Sequence, residues 1–339
     1  MTVDHEWESF VNGTNIINTA KNDDSININE DMISQIYIST KTKIVYFNEK
    51  FNITDIFWRI PVSPYWNPKE GVLKKQIKLT ATNEDEFNKI TQAYDCIDGP
   101  KEILTLKSIR RDNEFKEVRK ISVGISQKDL INSRIKKKGA FYNCFVLIIR
   151  IKVEDSFREV NLKIFNTGKV ELTGMKDDIL LQKSLDFIVK LMTKHSNSNS
   201  IKYKDKIDTV LINSNFHCGF FINRSKFYEI LKYKYNYSVI YDPCSYPGIQ
   251  CKYWFNTSNT GRCMCNPSSN CDCNMVSFMI FRTGSVLIVG NCDEEMLKFV
   301  YEKLKTIFIN EYSEINKGIN NVNEKTVKKK PKRISILVK

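Results

Sequence analysis

The chain has 339 residues, 42% of them hydrophobic, with a formal net charge of +13 and a pI near 9.1. That length allows one large domain or two ordinary ones, and the basic balance favours an anionic partner, nucleic acid or a membrane surface. No run of eighteen apolar residues supplies a transmembrane helix, and three histidines (His5, His195, His217) are too few for a mechanism built on several.

Residues 1–30 are polar, acidic and rich in Asn and Asp, the composition of a disordered arm. The opening MTVDHEWESF lacks the basic and apolar regions of a signal peptide. The ten cysteines then read as thiols or metal ligands in a reducing compartment rather than as disulfides.

Downstream the chain states one pattern twice. Ile33–Thr40 (ISQIYIST) parallels Ile207–Ser214 (IDTVLINS), each a β-rich run. A helix signal follows each, NITDIFWRI from Asn52 and NRSKFYEIL from Asn223, with Asn as the N-cap. GVLKKQIKL from Gly71 is matched to GIQCKYWF from Gly248. Lys163–Met192 and Met279–Phe308 then align over 30 positions without a gap, sharing Ile, Phe, Thr, Gly, Val, Gly and Asp. A repeated strand-turn-strand-helix block implies two similar half-domains. The first repeat covers 31–194 and the second 207–312, with a polar linker at 195–206 containing HSNSNS. Each repeat carries an insertion: a charged one at about 80–140, with Arg134, Lys136, Lys137 and Lys138, and a cysteine-rich one at 256–274. The basic tail, 313–339, ends with Lys325, Lys328, Lys329, Lys330, Lys332, Arg333 and Lys339 and no acid among its last fifteen residues. Its KKKPKR stretch is a nuclear localisation signal, a phosphate-binding arm or a solvated tail.

Alternation along the strands separates two faces. One collects Ile164, Asn166, Val170 and Leu172, and in the second repeat Ile280, Val286 and Ile288, which suit a core. The other collects Phe165, Thr167, Lys169, Glu171 and Thr173, matched by Phe281, Thr283, Ser285, Leu287 and Val289. An aromatic, hydroxyls and β-branched groups at matching positions suit the DNA minor groove, where apolar wedges unstack base steps. The same residues also fit ordinary buried aromatics of a repeated fold.

Cys263, Cys265, Cys271 and Cys273 form C-x-C-x5-C-x-C, four thiols that either hold a structural Zn²⁺ or belong to a plain cysteine-rich loop. No phosphate-binding loop, dinucleotide fingerprint, H-E-x-x-H or G-x-S-x-G is present, so no enzyme is expected.

The IF-x-TG-x-V pattern with a following Gly and amphipathic helix, together with DPCSYPGI at Asp242–Ile249, resembles the TATA-box-binding protein family. The insertions, acidic arm and cysteine-rich loop resemble its divergent version in large DNA viruses. The resemblance implies an α+β saddle of two pseudo-symmetric repeats, a curved antiparallel sheet with helices on its convex side. It implies a monomeric basal transcription initiation factor that bends AT-rich promoter DNA and recruits initiation factors and RNA polymerase. The setting would be a viral factory in the host cytoplasm, the nucleus, or a virion. By match, Phe165, Phe281 and Tyr246 are kinking wedges. Thr167, Thr173, Thr283, Leu287 and Val289 line the groove, and Lys169 and Lys252 meet phosphates. The fourth wedge is Phe141, Tyr142 or Phe145, since the Gly71 alignment offers only Lys69. Gln35 and Thr209 stand where the family reads bases with asparagines, and Glu171 stands where it has valine. Those departures imply relaxed sequence preference. A saddle that binds only proteins and a nonspecific virion nucleic-acid-binding protein are the alternatives.

Overall fold

A computed structural model describes residues 32–111, 114–131, 141–196, 198, 200–255, 261–263 and 273–317. The acidic arm, the cations at 134–138, Cys265, Cys271 and the basic tail beyond residue 317 lie outside the described residues.

In chain order the elements are β1 (Tyr37–Phe47), α1 (Ile53–Arg59), β2 (Gly71–Ala81), α2 (Glu84–Asp95), β3 (Lys101–Arg111), β4 (Glu114–Gly124), α3 (Gln127–Ile131), β5 (Cys144–Val153), β6 (Ser156–Phe165), β7 (Lys169–Met175) and α4 (Asp178–His195). They continue as β8 (Tyr203–His217), α5 (Arg224–Glu229) running into a π-helical turn at Ile230–Lys234, β9 (Ser238–Ile240), β10 (Ile249–Phe255), β11 (Asn274–Ile280), β12 (Ser285–Gly290), α6 (Glu294–Asn310) and α7 (Tyr312–Ile315). The fold is α+β, and the strand-helix-strands-helix order appears twice.

The chain forms two compact units, one of residues 42–208 and one that joins 32–41 to 209–317. The boundaries therefore differ from the consecutive halves expected. Ile33 is buried in the second repeat's core, Ser34 N–H donates to the His217 carbonyl, and the Tyr301 hydroxyl donates to the Ser34 carbonyl. In the first-repeat unit the strand order is β3-β4-β2-β5-β6-β7-β1; in the second it is β8-β12-β11-β10-β9. The β2–β4, β2–β5, β3–β4, β5–β6, β6–β7, β8–β12, β9–β10, β10–β11 and β11–β12 ladders are all antiparallel.

Side-chain chemistry fixes the helix starts in the same way in both repeats. Asn52 Oδ1 accepts from Asp55 N–H at 3.3 Å and Asn223 Oδ1 from Lys226 N–H at 3.4 Å. Asp177 and Asp293 cap α4 and α6, accepting from Leu180 and Met296 N–H at 2.7 Å each. One sheet face of the first repeat (Phe145, Leu147, Leu162, Ile164, Val170) packs on Phe57 of α1 and on Leu185 and Ile188 of α4. The equivalent face of the second (Ile249, Phe278, Ile280, Val286, Ile288) packs on Phe227, Leu297 and Phe308. The two alternation patterns read from sequence are thus the core faces, except that Asn166 lies exposed in the turn after β6.

The charged insertion is structured. Its β3–β4 hairpin adds two strands outside β2, and α2 lies on their core side, where Arg119 sits 4.0 Å above the Phe87 ring. Glu117, buried there, accepts from Arg110 and Arg119. Arg110 and Arg119 hold its carboxyl below the ordinary range, against a burial that pushes it up. Lys75 is buried and donates to the Phe57 and Ile60 carbonyls at the end of α1, 2.7 Å each. Burial lowers its amine to about 8. The short α3 breaks the expected rule that all helices share one side. Asp129 accepts from Lys74 Nζ, and Lys74 pairs with Ile148 on the face opposite the core.

The β6–β7 and β11–β12 hairpins each turn on a left-handed glycine. Gly168 (φ +85°) and Gly284 (φ +91°) donate to the Phe165 and Phe281 carbonyls at 3.0 Å. A Cβ at Gly168 would stand 2.2 Å from the Glu49 carbonyl oxygen, and at Gly284 2.3 Å from that of Phe220. Gly168→Ala and Gly284→Ala should each cost about 1–3 kcal/mol from the backbone conformation, with the clash added. Urea midpoints of the two variants check this, and an unchanged midpoint in either would contradict the packing.

Candidate nucleic-acid interface

The face opposite each core begins with the hairpin aromatic. In the first repeat Phe165 lies opposite Cys144. In the second, Ile249 lies opposite Ile280, so Gly248 and Phe281 are next in register. Tyr246, two residues before Gly248, packs at a tilt against Phe281 with ring centroids 6.0 Å apart. Two residues before Cys144 stands Tyr142. The fourth aromatic position is therefore Tyr142, 55% exposed. Phe145 is excluded because it is fully buried in the core.

This equivalence corrects the match of Gly71 to Gly248. β5, not β2, pairs with the hairpin strand as β10 does, while β2 takes the place of β9. The insertion separates β2 from β5 along the chain, so the strand that follows the first helix is not the one beside the hairpin.

The first repeat presents this face openly. Thr167 and Thr173 are exposed; Phe165, Lys169 and Glu171 are half-buried. Lys169 Nζ lies 5.3 Å from the Phe165 ring centre and Lys78 Nζ 3.3 Å from that of Tyr142. Glu171 is not a bare carboxylate. It sits directly across from Lys163 and accepts from its Nζ at 2.6 Å. Phe141, 63% exposed, covers Lys163. Sequence spacing hid this pair because the two residues lie on different strands.

In the second repeat the expected residues occupy the expected face but are covered. Phe281, Thr283 and Leu287 are buried at 2%, 6% and 6% exposure. Phe281 is held by Tyr246 and Gly248, where a Cβ would come 3.1 Å from its ring. The Thr283 hydroxyl donates to Ser285 Oγ at 3.2 Å. Val289 is half-buried and Lys252 exposed on the same side. Burial raises the Tyr246 phenol.

Gln35 is exposed and precedes β1; Thr209 is half-buried on β8. Two asparagines that sequence matching passed over share the face of Thr209. Asn213 lies opposite Val289 and Asn215 opposite Leu287. Asn213 Oδ1 is buried without a hydrogen-bond partner among the described residues, a group whose desolvation costs roughly 1–3 kcal/mol. Their alternation with Ile212, Ser214 and Phe216 was the available signal. Cys263 and Cys273 are the members of the cysteine cluster among the described residues: Cys263 lies beyond the Trp254–Gly261 bridge, and Cys273 precedes β11.

Antiparallel sheets built twice, with aromatic pairs at equivalent positions on the face away from the core, define a repeat protein with a duplicated surface. No protein-family model matches the chain. A protein named TATA-box-binding protein-like, from Acanthamoeba polyphaga mimivirus, is 25% identical over 323 residues, covering 82% of this chain and 84% of its own length. Among solved structures, Methanococcus jannaschii TBP matches at 14% identity with a TM-score of 0.41, covering 82% of this chain and 99% of that one. This chain is a divergent relative of the mimivirus protein.

Replacing Glu171 with Val releases Lys163. If this face takes duplex DNA, binding should strengthen, and the log–log salt slope should steepen by about 0.9, one phosphate contact. Titrations of Glu171→Val and wild type at two salt concentrations check this; equal slopes would contradict it.

Proposed function

We propose that this protein binds duplex DNA through the faces opposite its two cores and acts as a viral transcription initiation factor without chemistry of its own. One observation carries the reading: Phe165 with Tyr142 and Phe281 with Tyr246 occupy equivalent register positions at the two hairpins. Inserted apolar wedges unstack base steps at a cost of a few kcal/mol each, offset by wider contact with the bent duplex. Thr167, Thr173, Leu287 and Val289 would line the groove, and Lys169 and Lys252 would meet phosphates. The preferred ligand would be AT-rich promoter DNA, bound by a monomer, with initiation factors and RNA polymerase as protein partners. Such a protein would work in a viral factory or the nucleus, or travel in the virion. Support also comes from similarity to a protein whose name carries TATA-box binding.

Because the two tyrosines are less covered than Phe281, they would meet DNA first. Tyr142→Ala with Tyr246→Ala should abolish bending while leaving the fold intact. Fluorescence transfer across an end-labelled AT-rich duplex measures it. A bend of unchanged size in the folded double variant would sink the wedge assignment. One observation favours a protein-binding role without DNA: the burial of Phe281, Thr283 and Leu287. Absence of any duplex binding would favour that role.

Zinc belongs to the same proposal. Cys263, Cys265, Cys271 and Cys273 supply four soft thiolates, a donor set that closes a structural zinc site and leaves no position for substrate. Ordering of a polar loop by metal would position it for partner docking. Untagged protein should carry about one zinc equivalent by elemental analysis, lost on serine replacement. Metal-free protein with four alkylatable thiols would reject the site.

A further inference from the structure

The first repeat's sheet is extended on one side only. Beyond β2 it gains two eleven-residue strands, β4 and β3, whereas the second repeat's sheet ends on the three-residue β9. The register carries the face of Phe165 outward through these strands. Phe165 faces Cys144, Ile148 faces Lys74, and Lys78 faces Lys120. A bulge between Thr105 and Lys107 then puts Lys107 opposite Val118, Ile109 opposite Lys116 and Arg111 opposite Glu114. Lys107, Arg111 and Lys116 consequently share that face, and all three are exposed. The alternate residues Arg110, Glu117 and Arg119 turn to the opposite side, against Phe87 of α2.

Lys116 stands diagonal to both Lys107 and Arg111, a cross-strand separation of roughly 7–8 Å. None of the three forms an ion pair among the described residues, unlike Lys74 with Asp129 and Lys163 with Glu171. Glu102 and Glu114 are the acids of the hairpin on this face, and Glu114 faces Arg111. Nearer the centre, Lys78 and Lys120 face each other directly, a like-charge pairing that destabilises a bare sheet. Edge lysines also discourage unwanted strand pairing, which accounts for Lys107 but not for Lys116 on the inner strand or for the Lys78–Lys120 pair.

Building on the DNA-binding reading above, we infer that the β3–β4 hairpin is a second contact for duplex DNA, in which Lys107, Arg111 and Lys116 hold backbone phosphates flanking the core site. A duplex offers one charge per roughly 1.7 Å of axis, so clustered cations gain by counterion release whatever the base sequence. Because only one repeat carries the hairpin, this contact distinguishes the two directions in which a duplicated protein can lie on its site.

The test uses the full-length protein and two duplexes with the same AT-rich core, one ending at the core and one extended on both sides. Wild type should bind the longer duplex more tightly, and its hydroxyl-radical footprint should reach further on one side of the core. The triple variant Lys107→Ala/Arg111→Ala/Lys116→Ala should lose the length dependence and the footprint asymmetry. Its log–log salt slope should fall by about 0.9 for each contact removed. A melting curve matching wild type establishes that the variant is folded, and Lys116→Glu alone should give a partial loss. A folded triple variant that keeps length dependence and asymmetry overturns the inference and leaves the DNA-binding reading standing. Failure of wild type to bind either duplex overturns both. Unchanged DNA binding with loss of binding to a poly-glutamate peptide would assign the cations to an acidic protein instead, and so overturn the inference.

Discussion

Two glycines hold the rest in place. Gly168 and Gly284 adopt a left-handed backbone and lie against the carbonyls of Glu49 and Phe220, the segments that follow β1 and β8. That close approach leaves no room for a side chain and fixes where each hairpin turns. Hairpin register then decides which residues face the helices, because a one-residue slip would exchange the two faces. Phe165 and Phe281 stand on the far side from the core only because Ile164 and Ile280 stand on the near side. The helix caps at Asp177 and Asp293 come just after the ends of β7 and β12 and carry the same symmetry into the long helices.

Local chemistry made much of this readable in the amino-acid order. The Thr-Gly turns, the Asn52 and Asn223 caps and the alternation of Ile164, Val170 and Leu172 each depend on residues close along the chain. What depended on distant strands was not readable. The place of β5 beside β6 required knowing that the insertion pairs with β2 rather than with the hairpin. The Lys163–Glu171 contact required the hairpin register, and the position of α3 required the Lys74–Asp129 contact. Burial of Phe281 was equally hidden, since alternation gives a side chain's direction but not what lies above it. The asparagines were a different miss: matching fixed on Thr209, while Asn213 and Asn215 stood two and three pairs further along the same face.

Charge is distributed unequally over the first repeat. On the helix side, cations are enclosed: Lys75 ends α1 and Arg119 is shared between Glu117, Thr91 and an aromatic ring. These groups satisfy buried carbonyls and carboxylates, so removing them would leave uncompensated polar atoms. On the other side, lysines rest on the rings of Tyr142, Phe141 and Phe165 with their charge still near the surface. Such placement keeps long side chains ordered at modest cost. One repeat thus separates its structural cations from those available to a ligand by the two sides of a single sheet.

The bulged β3–β4 hairpin has a consequence for how the fold can change. It joins the sheet at the free backbone of β2 and leaves the β2–β5 pairing and the repeat's core residues in place. New strands of this kind bring their own hydrogen bonds and their own covering helix, here α2. Growth at a margin therefore asks little of the interior. Lineages can lengthen, shorten or recharge such a margin while the duplicated centre stays under its older constraints, so novelty should accumulate at the rim of the sheet.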